Sequence, residues 1–293
     1  MIELKEVYKK YGQVSALDGL TMTVPEGSVY GLIGPNGAGK STAIRHIAGI
    51  LRPDAGSITV NGQPVDDNAA IKGRMGYISD DVFYLPGANL EDMHRYYRGM
   101  FRRFDEGMYA RLAEVFGLPK GVPLRRFSKG MQKQAAFYLT LCTRPDILIL
   151  DEPVDGLDPV MRRQVWSMIL ADVAEHGATV LISSHNLREM EDICDRVGIM
   201  NRGKMLLERS LEEIQGTTVK LQMVGEAPAG LDILHTASSG RLNTYIVRGT
   251  PQSVEAAVTR CAPAYFEVLP LTMEEIFIYE LGGVDYEVKQ AVL

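Results

Sequence analysis

Cysteine is scarce: Cys142, Cys194 and Cys261 are the only three in 293 residues, with no CxxC and no clustered histidine. That excludes a disulfide framework, makes a thiolate metal centre an unexpected use of them, and suits a reducing, cytosolic compartment. No apolar run approaches the ~20 residues needed to cross a bilayer, and the opening MIELKEVYKKYG has no signal-peptide core. Any membrane role must therefore come through a partner. Positive charge is also short, with 31 Lys and Arg against 37 Asp and Glu, a formal net charge of −6. Such a balance argues against nucleic acid as the main partner, because phosphate backbones demand a basic footprint. Two stretches, YRGMFRR (97–103) and RRFSKGMQK (125–133), remain as candidate basic strips. There is no internal repeat and no low-complexity segment. What is present is an ordinary globular composition, 46% hydrophobic and 23% charged, on a chain long enough for one large domain and an appendage.

Along the chain, short β-type runs at Ile2–Val7 and Leu20–Val24 predict an antiparallel set. SVYGLIG (28–34) reads as a buried strand entering a glycine turn, and STAIRHIAGIL (41–51) as the helix that follows. SITVNG (57–62) suits a hairpin strand, and roughly 88–145 is helix-rich. Next come an apolar strand DILILDE (146–152), a helix (160–175), a strand ATVLISS (178–184), a helix (186–194) and a strand-turn-strand (197–208). Strands alternating with helices predict a parallel α/β sheet. Past residue 215 the pattern changes: TTVKLQMVG, NTYIVRG and YFEVLPL read as strands, SVEAAVTRCA and TMEEIFIYEL as helices. The expected organisation is a domain over 1–215, with a helical subdomain at about 82–145, and a small α+β domain over 216–293.

The chemistry concentrates in GPNGAGKST, formed by Gly34, Pro35, Asn36, Gly37, Ala38, Gly39, Lys40, Ser41 and Thr42. It fits G-x-x-x-x-G-K-[ST] between a predicted strand and a predicted helix. Glycines let backbone N–H groups turn inward, and the helix N-terminus adds partial positive charge for phosphate oxygens. Lys40 would reach the β- and γ-phosphates, and the Ser41 hydroxyl would ligate Mg²⁺. DILILDE supplies Asp151 to the same metal, with Glu152 placed to orient or deprotonate an attacking water. His185 ends the next apolar strand. A lone histidine there is commonly structural, but ligands gather at the carboxyl ends of parallel strands, which favours a contact to the γ-phosphate.

The ordered set GPNGAGKST, FSKGM (127–131), LILDEP (148–153), DGLDP (155–159) and SSH (183–185) resembles the ATPase subunits of ATP-binding cassette (ABC) transporters over roughly residues 1–215. The resemblance implies a P-loop NTPase fold with a RecA-like core, an antiparallel β subdomain and a helical subdomain. It implies ATP and Mg²⁺ as cofactors, and two cassettes, a second copy or a paralogue, sandwiching two ATPs head to tail. Ser128 and Gly130, in the FSKGM that stands for the family's LSGGQ, would hold the partner's ATP. Asp158 would contact the opposite phosphate loop, although a GLDP turn is also a plain helix start. Tyr11 would stack on adenine, with strand packing as the alternative. An integral membrane permease on a separate chain would be the further partner, placing this one at the cytoplasmic face of the plasma membrane.

One position departs from the family. After the strand in GYISDDVFYLP (76–86), Asp80 stands where relatives usually carry Gln, near metal and attacking water. A carboxylate is a stronger hard ligand than an amide but donates no hydrogen bond. Asp80 is thus expected at the metal or water, with a solvated turn as the alternative and Asp81 as its solvated neighbour. The aromatic and methionine-rich VFYLPGANLEDMHRYYRGMF (82–101) suits subdomain core and, by the resemblance, a groove for a membrane subunit. The ending LPLTMEEIFIYELGG (269–283) resembles ABC-2-type exporter subunits, including bacitracin-resistance and phenol-soluble-modulin exporters. Export of a hydrophobic or amphipathic peptide, antibiotic or lipid is therefore expected, over an importer or a ribosome- or DNA-directed ATPase.

Overall fold

A computed structural model describes residues 1–272 and 274–275, and the chain divides into two compact units. The first comprises Met1–Asn186 and Ile193–Glu208. Its leading runs are one long hairpin, β1 (Ile2–Tyr11) and β2 (Val14–Val24), longer than the predicted pieces. The pairing shifts register between Leu4 and Val7, where Glu6 takes a positive φ of 48°. A bulge there breaks the simple alternation from which strand length is read.

Then follow β3 (Val29–Ile33), α1 (Lys40–Ile47), β4 (Ala55–Val60), β5 (Gln63–Pro64), α2 (Ala69–Lys72) and β6 (Met75–Ile78). The helix α1 stops short of the predicted residue 51 because Gly49, at φ 65°, turns the chain. Three helices form an arm: α3 (Leu90–Met100), α4 (Glu106–Phe116) and α5 (Lys129–Cys142). Each has a side-chain cap, Asn89, Asp105 and Ser128 respectively. Burial of the arm centres on Tyr138, which stacks on Tyr109 and Phe116. The chain continues through β7 (Ile147–Asp151), α6 (Pro159–His176), β8 (Thr179–Ser184), α7 (Leu187–Glu191), β9 (Arg196–Asn201) and β10 (Lys204–Ser210).

Six strands make the central sheet, in the order β10-β9-β3-β8-β7-β6. The pairings β9–β3, β3–β8, β8–β7 and β7–β6 are all parallel. Every residue of β3, β7 and β8 is buried, which explains their continuous apolar runs. In register, Ile33 pairs with Ser184 and Asp151 with Ser183. The carboxyl ends of β3, β6, β7 and β8 therefore open at one edge. A core of Leu4, Leu20, Tyr30, Leu32, Ile44, Ile149 and Leu181 joins the hairpin, the sheet and α1.

Four cations of the two basic stretches already have partners within the chain. Arg98 pairs with Glu106 and Arg103 with Asp146, Arg125 lies 5.1 Å over the Phe83 ring, and Lys133 is 4% exposed. Of these, Arg98, Arg103 and Arg125 pair at the surface, and Lys133 is buried. The three cysteines form no disulfide, and burial pushes the Cys142 thiol up to about 12.

The second unit comprises 187–192 and, among the described residues, 209–272 and 274–275. It begins earlier than residue 216, because α8 (Leu211–Thr217), capped by Ser210, packs on β11 (Thr218–Val224). After β11 come β12 (Asp232–Ser239), β13 (Leu242–Arg248), α9 (Pro251–Thr259) and β14 (Phe266–Pro270), with the sheet ordered β12-β13-β11-β14. Val219, Leu221, Met223, Val247, Val254 and Val258 form its core. The predicted helix TMEEIFIYEL lies, at Met273 and from 276 onward, outside the described residues. No helix among the described residues is long and apolar enough to cross a membrane.

Candidate functional site

The phosphate loop leaves the buried end of β3 and enters α1 with Gly37 at φ 82° and Gly39 at φ 105°. Both are left-handed conformations that glycine adopts without penalty. Close approach also requires glycine: a Cβ on Gly34 would lie 2.3 Å from the Met200 carbonyl oxygen, and one on Gly39 2.4 Å from that of Ala16. Pro35 O accepts from Ala38 N–H at 3.1 Å, closing the turn, while Asn36 stays exposed. Lys40 opens α1 and turns back over the loop. Its Nζ donates to Gly34 O at 2.7 Å and to Pro35 O at 3.3 Å, and lies 3.4 Å from Glu152 Oε1. Thr42 offers its carbonyl to His46 Nδ1.

Asp151 ends β7 and is 1% exposed. Its Oδ1 accepts from Ser41 Oγ at 3.0 Å and from Ser183 Oγ at 2.6 Å. Hydroxyl and carboxylate oxygens gathered this way are the hard donors a Mg²⁺ ion takes, so the residues fit the metal implied by the sequence. Next to them the Tyr77 phenol is pushed above its ordinary value, first by burial and then by the Asp151 charge.

Glu152 adopts φ 45°, a left-handed conformation uncommon for a residue with a side chain. Its N–H donates to Ser183 Oγ at 3.1 Å, and its carbonyl accepts from Lys133 Nζ at 2.6 Å. The twist aims the carboxylate at two partners: Lys40 Nζ, 3.4 Å from Oε1, and His185 Nδ1, 2.9 Å from Oε2. That hydrogen bond places a ring proton on Nδ1 and leaves Nε2 for another partner. Asp155 joins them, with one ligating atom each of Glu152, Asp155 and His185 lying within 4.8 Å of one another.

Asp80 is placed differently from the expectation. Its Oδ1 accepts from Lys133 Nζ at 3.1 Å, and the side chain is 57% exposed. It does not join Ser41 and Asp151 in a hydrogen bond. Lys133 was missed from the sequence because lysine on a helix is normally solvated. The signal was its place on the stripe 133, 136, 137, 140, whose other members, Ala136, Phe137 and Thr140, are buried.

Ser128 caps α5 by accepting from Met131 N–H. Gly130 meets the chain after β7: a Cβ on it would lie 2.6 Å from Gly156 O. Asp158 accepts from Val160 and Met161 N–H as the cap of α6. None of these three hydrogen-bonds to the phosphate loop of the same chain, among the described residues. Tyr11 is half exposed, with Lys9 Nζ 5.8 Å from its ring centroid.

A phosphate loop on a parallel sheet, a buried Ser–Asp pair beside it and a carboxylate poised at the next residue define a nucleotide-hydrolysing P-loop protein. A sequence profile described as ABC transporter matches residues 17–155. The Nod factor export ATP-binding protein I of Rhizobium meliloti is 34% identical, over 96% of this chain and 88% of its own length. The daunorubicin resistance ATP-binding protein DrrA3 of Streptomyces coeruleorubidus is 33% identical, over 97% of this chain and 96% of its own. Among solved structures, an ATP-binding subunit of an ABC transporter superposes with a TM-score of 0.68 at 30% identity, covering 73% of this chain and 92% of the other. The chain belongs to the ATP-binding proteins of ABC transporters, with the cassette fold and the ATPase activity of that family.

Proposed function

We infer that this chain powers an exporter, hydrolysing ATP to drive a hydrophobic or amphipathic peptide, antibiotic or lipid through a separate membrane subunit. One observation carries the reading: relatives named for Nod factor export and daunorubicin resistance match it nearly end to end, second unit included. The likeness of LPLTMEEIFIYELGG (269–283) to bacitracin-resistance and phenol-soluble-modulin exporters supports the same direction, although most of that stretch lies outside the described residues.

In the proposed mechanism, Lys40 and the loop amides bind the β- and γ-phosphates. Ser41 and Asp151 would hold Mg²⁺, which, when bound, offsets phosphate charge. Glu152 accepts the proton of the attacking water, and His185, oriented through Nδ1, presents Nε2 toward the γ-phosphate. Ser128 and Gly130 of a second cassette would close over each ATP, with Asp158 at the opposite loop and Tyr11 beneath adenine. An isologous pair provides two such sites. The second unit would serve as an accessory or dimerisation module.

The test is affinity purification of tagged protein from detergent-solubilised native membranes. Recovery with a polytopic membrane protein and no binding-protein component is expected. A solute-binding component in the complex would indicate an importer. Recovery only with ribosomes, or with no membrane protein, would replace the exporter by a soluble ABC ATPase.

A further inference from the structure

Lys133 places its amine in a buried setting: the side chain is 5% exposed and projects from the second turn of α5. A polar group so buried must be paired and hydrogen-bonded. Among the described residues, the carboxylate that meets it is Asp80, 3.1 Å away, two positions past the end of β6. A second bond, at 2.6 Å, runs to the carbonyl of Glu152. Asp80, Lys129, Lys133 and Asp155 line one polar cavity of about 340 Å³, so these groups converge on a common space.

The Glu152 bond is the informative one. A left-handed glutamate survives where its surroundings over-determine it. Here Ser183 fixes its N–H and Lys133 fixes its C=O, leaving the side chain to reach His185 and Lys40. Lys133 thus ties three otherwise separate pieces: the loop after β6, the start of α5 and the backbone of the proposed general base.

We propose that Lys133 is a positioning residue for ATP hydrolysis, anchored by Asp80, that sets the backbone conformation of Glu152 and so the aim of its carboxylate. Asp80 in this chain is the ion-pair partner that directs Lys133. It fills the place of the family's usual glutamine by holding a lysine rather than by ligating metal. The inference rests on Glu152 being the general base.

The test uses the purified full-length chain with Mg-ATP, comparing Asp80→Asn, Lys133→Met, Lys133→Arg, the Asp80→Asn/Lys133→Met double variant and Glu152→Gln. Turnover and KM are measured together with ATP-analogue binding and thermal melting. The expectation is a kcat at least tenfold lower for Asp80→Asn and Lys133→Met, with KM and analogue affinity within threefold of the parent. The double variant should be no slower than Lys133→Met alone, and Lys133→Arg should recover most of the rate. If Lys133→Met does not fold, the half-exposed Asp80→Asn still decides. Glu152→Gln separates the two failures. Full loss there, with Asp80→Asn and Lys133→Met within twofold of the parent, overturns the positioning role alone. Retained turnover in Glu152→Gln overturns the general-base assignment and the positioning role with it. An equal rise of KM and fall of affinity in Asp80→Asn would instead make Asp80 a nucleotide or metal contact.

Discussion

Lys40 and Glu152 face each other across 3.4 Å with their side chains only 6% and 13% exposed, so the proposed phosphate-binding lysine and the proposed base pair with one another in this structure. An incoming phosphate must compete with that carboxylate for the lysine. Neutralising the glutamate would have opposite effects on binding and on chemistry.

Glu152→Gln is therefore expected to hold ATP more tightly while losing turnover by a factor of about 10²–10⁴, the usual share of a general base. Equilibrium binding of a fluorescent ATP analogue, beside steady-state phosphate release, checks both halves. A variant that binds more weakly would show that the pair does not compete with phosphate.

Ser183 is fully buried and works twice, donating to Asp151 Oδ1 and accepting from Glu152 N–H. Ser183→Ala removes both bonds and leaves polar groups short of partners, a loss of about 1–3 kcal/mol. A lower melting temperature and a higher Mg²⁺ concentration for half-maximal turnover are expected. Metal titration of the variant and parent measures the second effect independently of folding.

Gly130→Ala places a Cβ 2.6 Å from Gly156 O, which is a backbone atom and cannot rotate away. One of the two segments must move, at about 1–3 kcal/mol. Urea denaturation should show the loss, and ATP turnover should fall with it. An unchanged midpoint would mean that the start of α5 and the Asp155–Gly156 turn are loosely joined.

Asp105 caps α4, and its carboxyl is held below the usual range, first by the Met108 N–H and then by Arg144. A depressed folded-state value gives stability that is complete above the unfolded value, about 3.9, and is lost as pH falls through the folded one. Asp105→Asn keeps a capping side chain but loses the ion pair with Arg144, and should cost about 0.2–1 kcal/mol at pH 7. Its denaturation midpoint should then fall less steeply than the parent's on acidification below pH 4. Parallel slopes would indicate that Asp105 is not a source of acid sensitivity.

Much of this architecture was legible in the residue string because local chemistry and tertiary role coincide. GPNGAGKST needs glycines for its own turn, and the strands before it and before Asp151 are apolar throughout because every one of their residues is buried. Strand β12 was missed for the opposite reason. DILHTASS has little apolar alternation, its residues are mostly exposed, and pairing with β13 makes it a strand. Lys133 and Asp80 are 53 positions apart, so neither residue's neighbourhood announces the other. A buried lysine on an apolar stripe asks for a carboxylate, but only the fold says which.

The φ of 45° at Glu152 has one further consequence. Folding alone would favour glycine or asparagine there, since either occupies a left-handed position more readily. Replacing the glutamate by glycine would relieve that backbone strain but strip Lys40 of its carboxylate, so the chain should be inactive and no more resistant to unfolding than the parent. A lineage released from selection for hydrolysis would then meet two opposed pulls at this position, the backbone favouring glycine and the buried lysine favouring the acid. Persistence of the acid would thus record the ion pair as well as the chemistry.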